Sequence, residues 1–245
     1  MKNFQLAMFE SGLPFLDMPQ DIAFVSALYK FAKKYKIKYI LNGGNIATEC
    51  VNYPIEYYYM ADMRLVKDIL KSSDLWPLKS YQFTSIYQRK ILYPYFYRIK
   101  TFKPLNYVKF IKKEAIQELE SIYNWKSYPQ KHFESRFTQF FESYWLPYRF
   151  NFDARRVQFS SLILTGQLSR DDALMMLEER PWTESYINEE FRYISKKLSI
   201  DEDLLIKYRD MDTINITNFK NHKKFLNLAD KFLSPLLKIR RGGSY

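Results

Sequence analysis

The stretch IKYILNGGNIATE, from Ile37 to Glu49, decides how this chain is read. Ile37–Leu41 is a short apolar run rich in β-formers, which predicts one buried strand. Asn42-Gly43-Gly44-Asn45 breaks that run, and Ile46-Ala47-Thr48-Glu49 predicts the opening of a helix. Upstream, Pro19 leads into QDIAFVSALYKFAKKYK, where Ile22, Val25, Leu28, Tyr29 and Ala32 recur at helical spacing. Helix, buried strand, glycine turn and helix form the rhythm of a parallel α/β sheet. A glycine pair after such a strand lets backbone amides approach an anion, and the next helix adds its positive end. Asn45 and Thr48 can donate to a phosphate, and Glu49 can coordinate Mg²⁺ or accept from a ribose hydroxyl. An ordinary strand-to-helix turn explains the same residues, so both readings stand at this point. Cys50 reads as buried packing, because no histidine lies near it in sequence to activate it.

After about residue 75 the α/β rhythm stops. Lys109–Tyr123 and His132–Trp145 both read as helices, and RVQFSSLILTGQ continues the pattern up to Gly166. Ser169-Arg-Asp-Asp172 is a capping box opening DALMMLEER, which Pro181 stops, and Ser199-Ile-Asp-Glu202 is a second box. The predicted architecture is α/β, with a partial parallel sheet followed by a mainly α-helical C-terminal region. The divisions expected are 1–75, 76–209 and a basic, partly disordered tail over 210–245.

Composition bounds the function classes. The chain has 245 residues, 47% of them hydrophobic, which is enough for a sizeable core and excludes wholesale disorder. One Cys and two His exclude a disulfide framework and a Cys/His zinc site, and no metal ligands are assigned. No run reaches the roughly 18 apolar residues of a membrane span, and the first residues do not form a signal peptide. A soluble, cytoplasmic protein is therefore expected.

The net charge is +11, and it is unevenly spread. Residues 76–115 hold nine basic side chains and one acidic, net +8, interleaved with Trp76, Tyr81, Phe83 and eight further aromatics. Such a mixture binds single-stranded nucleic acid by stacking and phosphate contacts, or an anionic sugar nucleotide, or simply edges a core with snorkelling lysines. No RNA-binding motif accompanies it, which places nucleic acid last of the three.

Two further clusters carry chemistry. On a helix starting near Lys131, His132 and Arg136 share a face, and with Lys131 they can bind phosphates or stabilise negative charge. The alternative for His132 is a half-buried helical histidine paired with a glutamate. Arg155 and Arg156, followed by Gly166-Gln167, ordinarily mean a solvated face and a turn.

In this order, GGNIATE, FKPLNY, QKHFESRFTQFF, YWLP and RRVQFSSLILTGQLSRDDAL resemble the N-acetyl sugar amidotransferase family of bacterial O-antigen and flagellar sugar biosynthesis. The resemblance runs from about Gln5 to Leu198. It implies a PP-loop ATP pyrophosphatase, related to the adenine nucleotide alpha hydrolases. Such an enzyme uses ATP and Mg²⁺ to adenylate the acetamido oxygen of a UDP-linked or related N-acetyl sugar. Ammonia from a glutaminase and a cyclase-like partner then displaces AMP, leaving an acetamidino group. Carried over by matching motif, Gly43, Gly44, Asn45, Thr48 and Glu49 are expected on the ATP side. Lys131, His132, Glu134 and Arg136, with Arg155, Arg156 and Gln167, are expected to bind phosphate or sugar nucleotide. No residue is assigned a catalytic role.

The sequence departs from that family in one decisive respect. PP-loop enzymes hold pyrophosphate in an S-G-G-x-D-S loop, whereas the Gly-Gly pairs here are Gly43-Gly44 and Gly242-Gly243. Ile22 stands where His is expected after Gln-Asp, and Pro129-Gln130 where Gly-Gly is common. The expectation is the C-terminal part of such an enzyme, completed by a separate N-terminal PP-loop piece. The alternatives are a non-catalytic binding or assembly subunit of the same pathway and a tRNA-modifying PP-loop relative.

Overall fold

A computed structural model describes residues 1–53, 62–228 and 231. Its elements are mostly helices: α1 (Lys2–Glu10), α2 (Met18–Lys34), α3 (Ile46–Glu49), α4 (Met63–Ser72), α5 (Lys112–Tyr123), α6 (Arg136–Phe140) and α7 (Leu146–Phe150). These are followed by α8 (Ala154–Leu164), α9 (Arg170–Glu178), α10 (Glu184–Leu198) and α11 (Glu202–Asp210). Two short strands, β1 (Tyr39–Leu41) and β2 (Lys100–Phe102), pair in parallel, with Ile40 opposite Thr101. π-Helical turns occupy Gln88–Phe96 and Phe141–Trp145.

The chain forms two compact units that interleave along the sequence. One gathers Met1–Lys38, Ile55–Ile99 and Ile214–Tyr245. In it α1 packs on α2 and α4, burying Phe4, Met8 and Phe9 with Leu65, Ile69 and Leu70. Tyr81 and Phe83, both half-buried, pack on the core residue Phe4 at ring separations of 5.4 and 6.2 Å, so this part of the basic aromatic segment borders the core. Tyr87, Ile91, Tyr95 and Phe96 are exposed. The helical spacing of α2 is borne out by burial of Ile22 and Ala32, but Leu28 lies on the outer face with Phe24, Phe31 and Tyr35. Helix α2 is thus apolar on two faces, which a single-face reading of its period does not anticipate. Within the described part of the tail, Asn215 caps a short 3₁₀ turn over Ile216–Asn218. The remainder of the expected disordered tail lies outside the described residues.

The other unit gathers Tyr39–Pro54 and Lys100–Thr213. Helix α8 is its hub, packed against α3 and α9, while α10 packs on α6 and α11. Trp145, Phe140, Phe191 and Ile194 fill the core between them.

Several local expectations change. The strand predicted at Ile37–Leu41 is three residues long and only Ile40 is buried, Tyr39 and Leu41 being 64% and 72% exposed. Its partner β2 lies in the region read as mainly α-helical, where no strand was expected. Three residues of mixed character, Lys100-Thr-Phe102, carry no periodic signal of their own. The helix read over His132–Trp145 begins only at Arg136, where Ser135 accepts from the Thr138 N–H at 3.3 Å. The Ser169 cap forms, Ser169 Oγ accepting from the Asp172 N–H at 3.0 Å. The second box does not. Ser199 is instead the left-handed C-cap of α10 (φ 50°), and Asp201 stands at the start of α11. Cys50 is exposed, its Sγ 3.8 Å from the Ser161 carbonyl, because α3 ends at the surface one residue earlier.

Candidate functional site

The binding residues expected from sequence, Gly43 to Glu49, Lys131 to Arg136, Arg155, Arg156 and Gln167, lie in the second unit, around α3, the turn before α6, and α8. β1 ends at Leu41, and Asn42 Oδ1 turns the chain by accepting the Gly44 N–H at 2.7 Å. Asn45, in extended conformation, caps α3: its Oδ1 accepts from the Thr48 N–H at 2.9 Å and the Thr48 hydroxyl at 3.1 Å. Asn45 Nδ2 donates to the Gly43 carbonyl, and the Ile46 N–H donates to Asn106 Oδ1 at 2.8 Å. That last bond joins the GGNIATE and FKPLNY stretches. A Cβ on Gly44 would stand 2.8 Å from Asn42 Oδ1 and 3.0 Å from Glu49 Oε2, so the bare glycine lets both close over the turn. Gly43 faces open space. The Thr48 hydroxyl hydrogen and one of the two Asn45 amide hydrogens are thus engaged within the segment.

Glu49 leaves this turn to meet Lys131, Oε1 to Nζ, at 2.6 Å. Lys131 and His132 belong to a tight turn before α6, in which His132 holds φ +69°. His132 and Arg136 therefore do not share a helical face. A non-glycine residue in left-handed conformation costs energy and is tolerated when side-chain contacts hold it there.

The contact holding His132 is with Glu142: Nδ1 lies 2.8 Å from Oε1. Glu142 is buried at 8% exposure in the Phe141–Trp145 π-turn, and Tyr53 Oη and Gln158 Nε2 each donate to it at 3.4 Å. Burial opposes charge on His132, but the Glu142 hydrogen bond and charge outweigh it and raise the imidazole pKa. Arg136 points elsewhere. Its Nε donates to both oxygens of Glu190 at 2.8 and 3.0 Å, its Nη2 to Glu189, and it lies 3.9 Å over the Tyr193 ring. Burial of Glu190 raises its pKa despite Arg136. Glu134 is exposed.

Arg155 is buried rather than on a solvated face. Its guanidinium donates to both Asp153 oxygens and to the carbonyls of Met176, Leu177 and Glu179, which caps the C-terminus of α9. Arg156 is exposed. Gln167, past the left-handed Gly166 that ends α8, is more than a turn residue. It accepts from the Lys112 N–H at 2.8 Å and donates to the Ala47 carbonyl at 3.2 Å, tying α3, α5 and α8 together.

These segments wall a cavity of about 530 Å³, within the size range of small-ligand pockets. Lys112, Lys131 and Arg180 give it cationic edges, and Phe133, Trp182 and Tyr186 give it aromatic surfaces. Burial lowers the Lys112 pKa, and the neighbouring Lys131 charge lowers it further. The Tyr186 hydroxyl is buried with no partner among the described residues, and its pKa is raised by that burial. Of the expected binding residues, Lys131 and Arg155 lie on the wall. His132 sits between wall residues Lys131 and Phe133, and the glycine turn is linked through Glu49. Sequence reading missed Glu142, Gln158, Lys112, Arg180 and Trp182. Only Glu142, an acid inside the aromatic run FFESYW, left a signal there.

Cations beside aromatic faces suit an anionic ligand that carries a ring or an apolar group. No cluster of three or more His, Cys, Asp or Glu able to hold a metal ion occurs among the described residues. No helix among them is long and apolar enough to cross a membrane.

Neither a curated protein nor a solved structure matches the chain. Residues 134–232 match the family described as LPS biosynthesis protein WbpG-like, C-terminal domain. The matched part takes in Arg136, Glu142, Arg155, Gln158 and Gln167, and begins just after His132. Over those residues the chain is similar to the C-terminal domain of WbpG-like proteins, which supports the sugar-biosynthesis resemblance and relates it to LPS biosynthesis.

Proposed function

We propose that this chain is the sugar-binding part of an N-acetyl sugar amidotransferase in bacterial surface polysaccharide or flagellar glycan biosynthesis. The reaction is ATP-dependent conversion of an acetamido group to an acetamidino group with ammonia from a glutaminase and a cyclase-like partner. The observation that supports it most is the overlap between the cation- and aromatic-lined cavity and the region similar to an LPS biosynthesis domain. Lys112, Lys131 and Arg180 have the charge to hold the diphosphate of a UDP-linked sugar, and Trp182 and Phe133 have faces for its rings.

ATP is assigned to the Gly43–Glu49 side, next to Lys131, and Mg²⁺ arrives with the phosphates. The fit there is partial: α3 has four residues, the Thr48 hydroxyl is already engaged by Asn45, and Asn45 Nδ2 already donates to the Gly43 carbonyl. A separate PP-loop piece therefore supplies the pyrophosphate cradle in this reading. The same engaged donors favour a second reading, in which the chain is a non-catalytic binding or assembly subunit of that pathway.

Calorimetry with a UDP-linked N-acetyl sugar tests the first part, and saturable binding is expected. ATP–pyrophosphate exchange tests the second. Exchange by the chain alone would overturn the divided site, and absence of sugar-nucleotide binding would overturn the cavity assignment.

A further inference from the structure

Two helices carry apolar stripes that the described residues leave uncovered. Helix α5 buries no residue, although Ala115, Ile116, Leu119, Ile122 and Tyr123 fall on one of its faces. Ile122 and Tyr123 are 63% and 71% exposed. Past the left-handed C-cap Asn124, Trp125 and Tyr128 meet edge-on at 6.0 Å and add two more exposed rings. Helix α2 is held to its own unit through Ile22, Ser26 and Ala32. On its opposite side Phe24, Leu28, Phe31 and Tyr35, spaced i, i+4, i+7 and i+11, are all exposed. At 1.5 Å per residue this stripe is about 17 Å long, and that of α5 about 12 Å. Apolar surface arranged in such stripes marks an interaction site. The flanks of the two stripes carry opposite charge. On α2, Lys30 and Lys34 stand one turn apart beside Phe31, and residues 22–38 include no acidic side chain. On α5, Glu114 and Glu118 stand one turn apart in the row that leads to Ile122. Viewed from each N-terminus, the charged row lies on the same side of its stripe. An antiparallel pairing of the two faces, centred on Leu119 and on the middle of Leu28–Phe31, therefore brings Lys30 beside Glu118 and Lys34 beside Glu114.

We propose that α5 of one copy of this chain packs antiparallel on α2 of a second copy. The aromatic and aliphatic stripes supply the affinity, and the lysine and glutamate rows set direction and register. One such contact, about 17 Å long and one helix wide, falls short of the roughly 800 Å² that each partner buries in a stable interface. The exchange is therefore reciprocal, each copy giving its α5 and receiving the other's, which closes a dimer. Helix α5 starts at Lys112, and the loop after it returns to Lys131, both on the cavity wall. The second copy thus holds a segment whose two ends bound the ligand cavity. The pairing does not depend on which ligand that cavity takes.

Sedimentation velocity of the full chain from about 1 to 100 µM tests this, and a dimer that dissociates on dilution is expected. High salt should favour the monomer, because the charged rows are exposed. Phe31→Glu in α2 and Ile122→Lys in α5 replace exposed side chains, so each variant should keep the wild-type circular dichroism spectrum. Each should self-associate at least about tenfold more weakly. Mixed together, the two variants retain one intact contact and should associate more tightly than either alone. Should a variant not fold, carbodiimide cross-linking of mixed ¹⁴N and ¹⁵N wild-type chains decides it. Links from Lys30 or Lys34 of one copy to Glu114 or Glu118 of the other support the pairing. A chain that stays monomeric at the highest concentration would overturn it, as would a dimer indifferent to either substitution. Binding of a monomeric chain to phosphatidylglycerol vesicles, lost in Phe31→Glu, would assign the α2 face to a lipid surface and overturn it too.

Discussion

Asp62 and His222, 160 residues apart, are joined twice: His222 Nδ1 lies 2.6 Å from Asp62 Oδ1, and the His222 N–H donates to Oδ2 at 2.7 Å. Asp62 is fully buried and also caps α4 through the Arg64 and Leu65 N–H groups. One carboxylate thus starts a helix and holds the segment at His222 within the first unit.

Asp62→Ala should therefore cost about 3 kcal/mol, because it removes a helix cap and strands the charge-assisted donors of His222. Urea unfolding followed by circular dichroism measures it. A loss of less than about 1 kcal/mol would mean that the pair contributes little.

Arg155 offers a second stability test in the other unit. Its guanidinium spans Asp153 and three carbonyls at the end of α9. Arg155→Ala should lower stability by about 3 kcal/mol, and Arg155→Lys should recover little, since one ammonium cannot span the same acceptors. Thermal unfolding of both variants compares them directly.

The His132–Glu142 pair gives stability a defined pH dependence. The folded-state pKa of His132 is raised above its unfolded value. Its contribution is therefore fully present below the unfolded pKa and is lost as pH rises through the folded pKa. The stability advantage of wild type over Glu142→Gln should shrink from pH 5.5 to pH 8.5. Chemical denaturation at four or five pH values tests this, and an advantage that grows with pH would contradict it.

Cavity electrostatics supply the fourth prediction. Lys112→Ala and Lys131→Ala should each weaken UDP-N-acetylglucosamine binding by about tenfold, the order expected for one charge-assisted contact. Affinity should also fall as salt is raised. Lys131→Ala additionally removes the like charge that depresses Lys112, so the Lys112 pKa should rise. Calorimetry reads the first effect, and NMR titration of the lysine side chains reads the second.

Much of the local structure was legible in sequence because it is encoded within four or five residues. The period of α2, the opening of α3 at Ile46, the Ser169 cap on α9 and the glycine turn after β1 all depend on neighbours along the chain. Errors arose where a distant partner overrides a local pattern. QKHFESRF reads as one helix, yet Ser135 caps it late and His132 is drawn out of helical geometry toward Glu142. Arg155-Arg156 reads as a solvated pair, yet carbonyls more than 20 residues away bury one of the two.

The sequence by itself determined a mainly helical chain with one strand–glycine turn–helix unit, a concentrated positive charge, and motifs resembling sugar amidotransferases. Only the tertiary structure decided that β1 pairs with β2 some 60 residues on. It also decided that Lys112 and Lys131 share one cavity and that a buried glutamate orients His132. The physical reason is range. Caps and periodicity are satisfied within one turn of chain, whereas strand pairing, desolvated ion pairs and cavity walls form between segments whose separation leaves no trace in local composition.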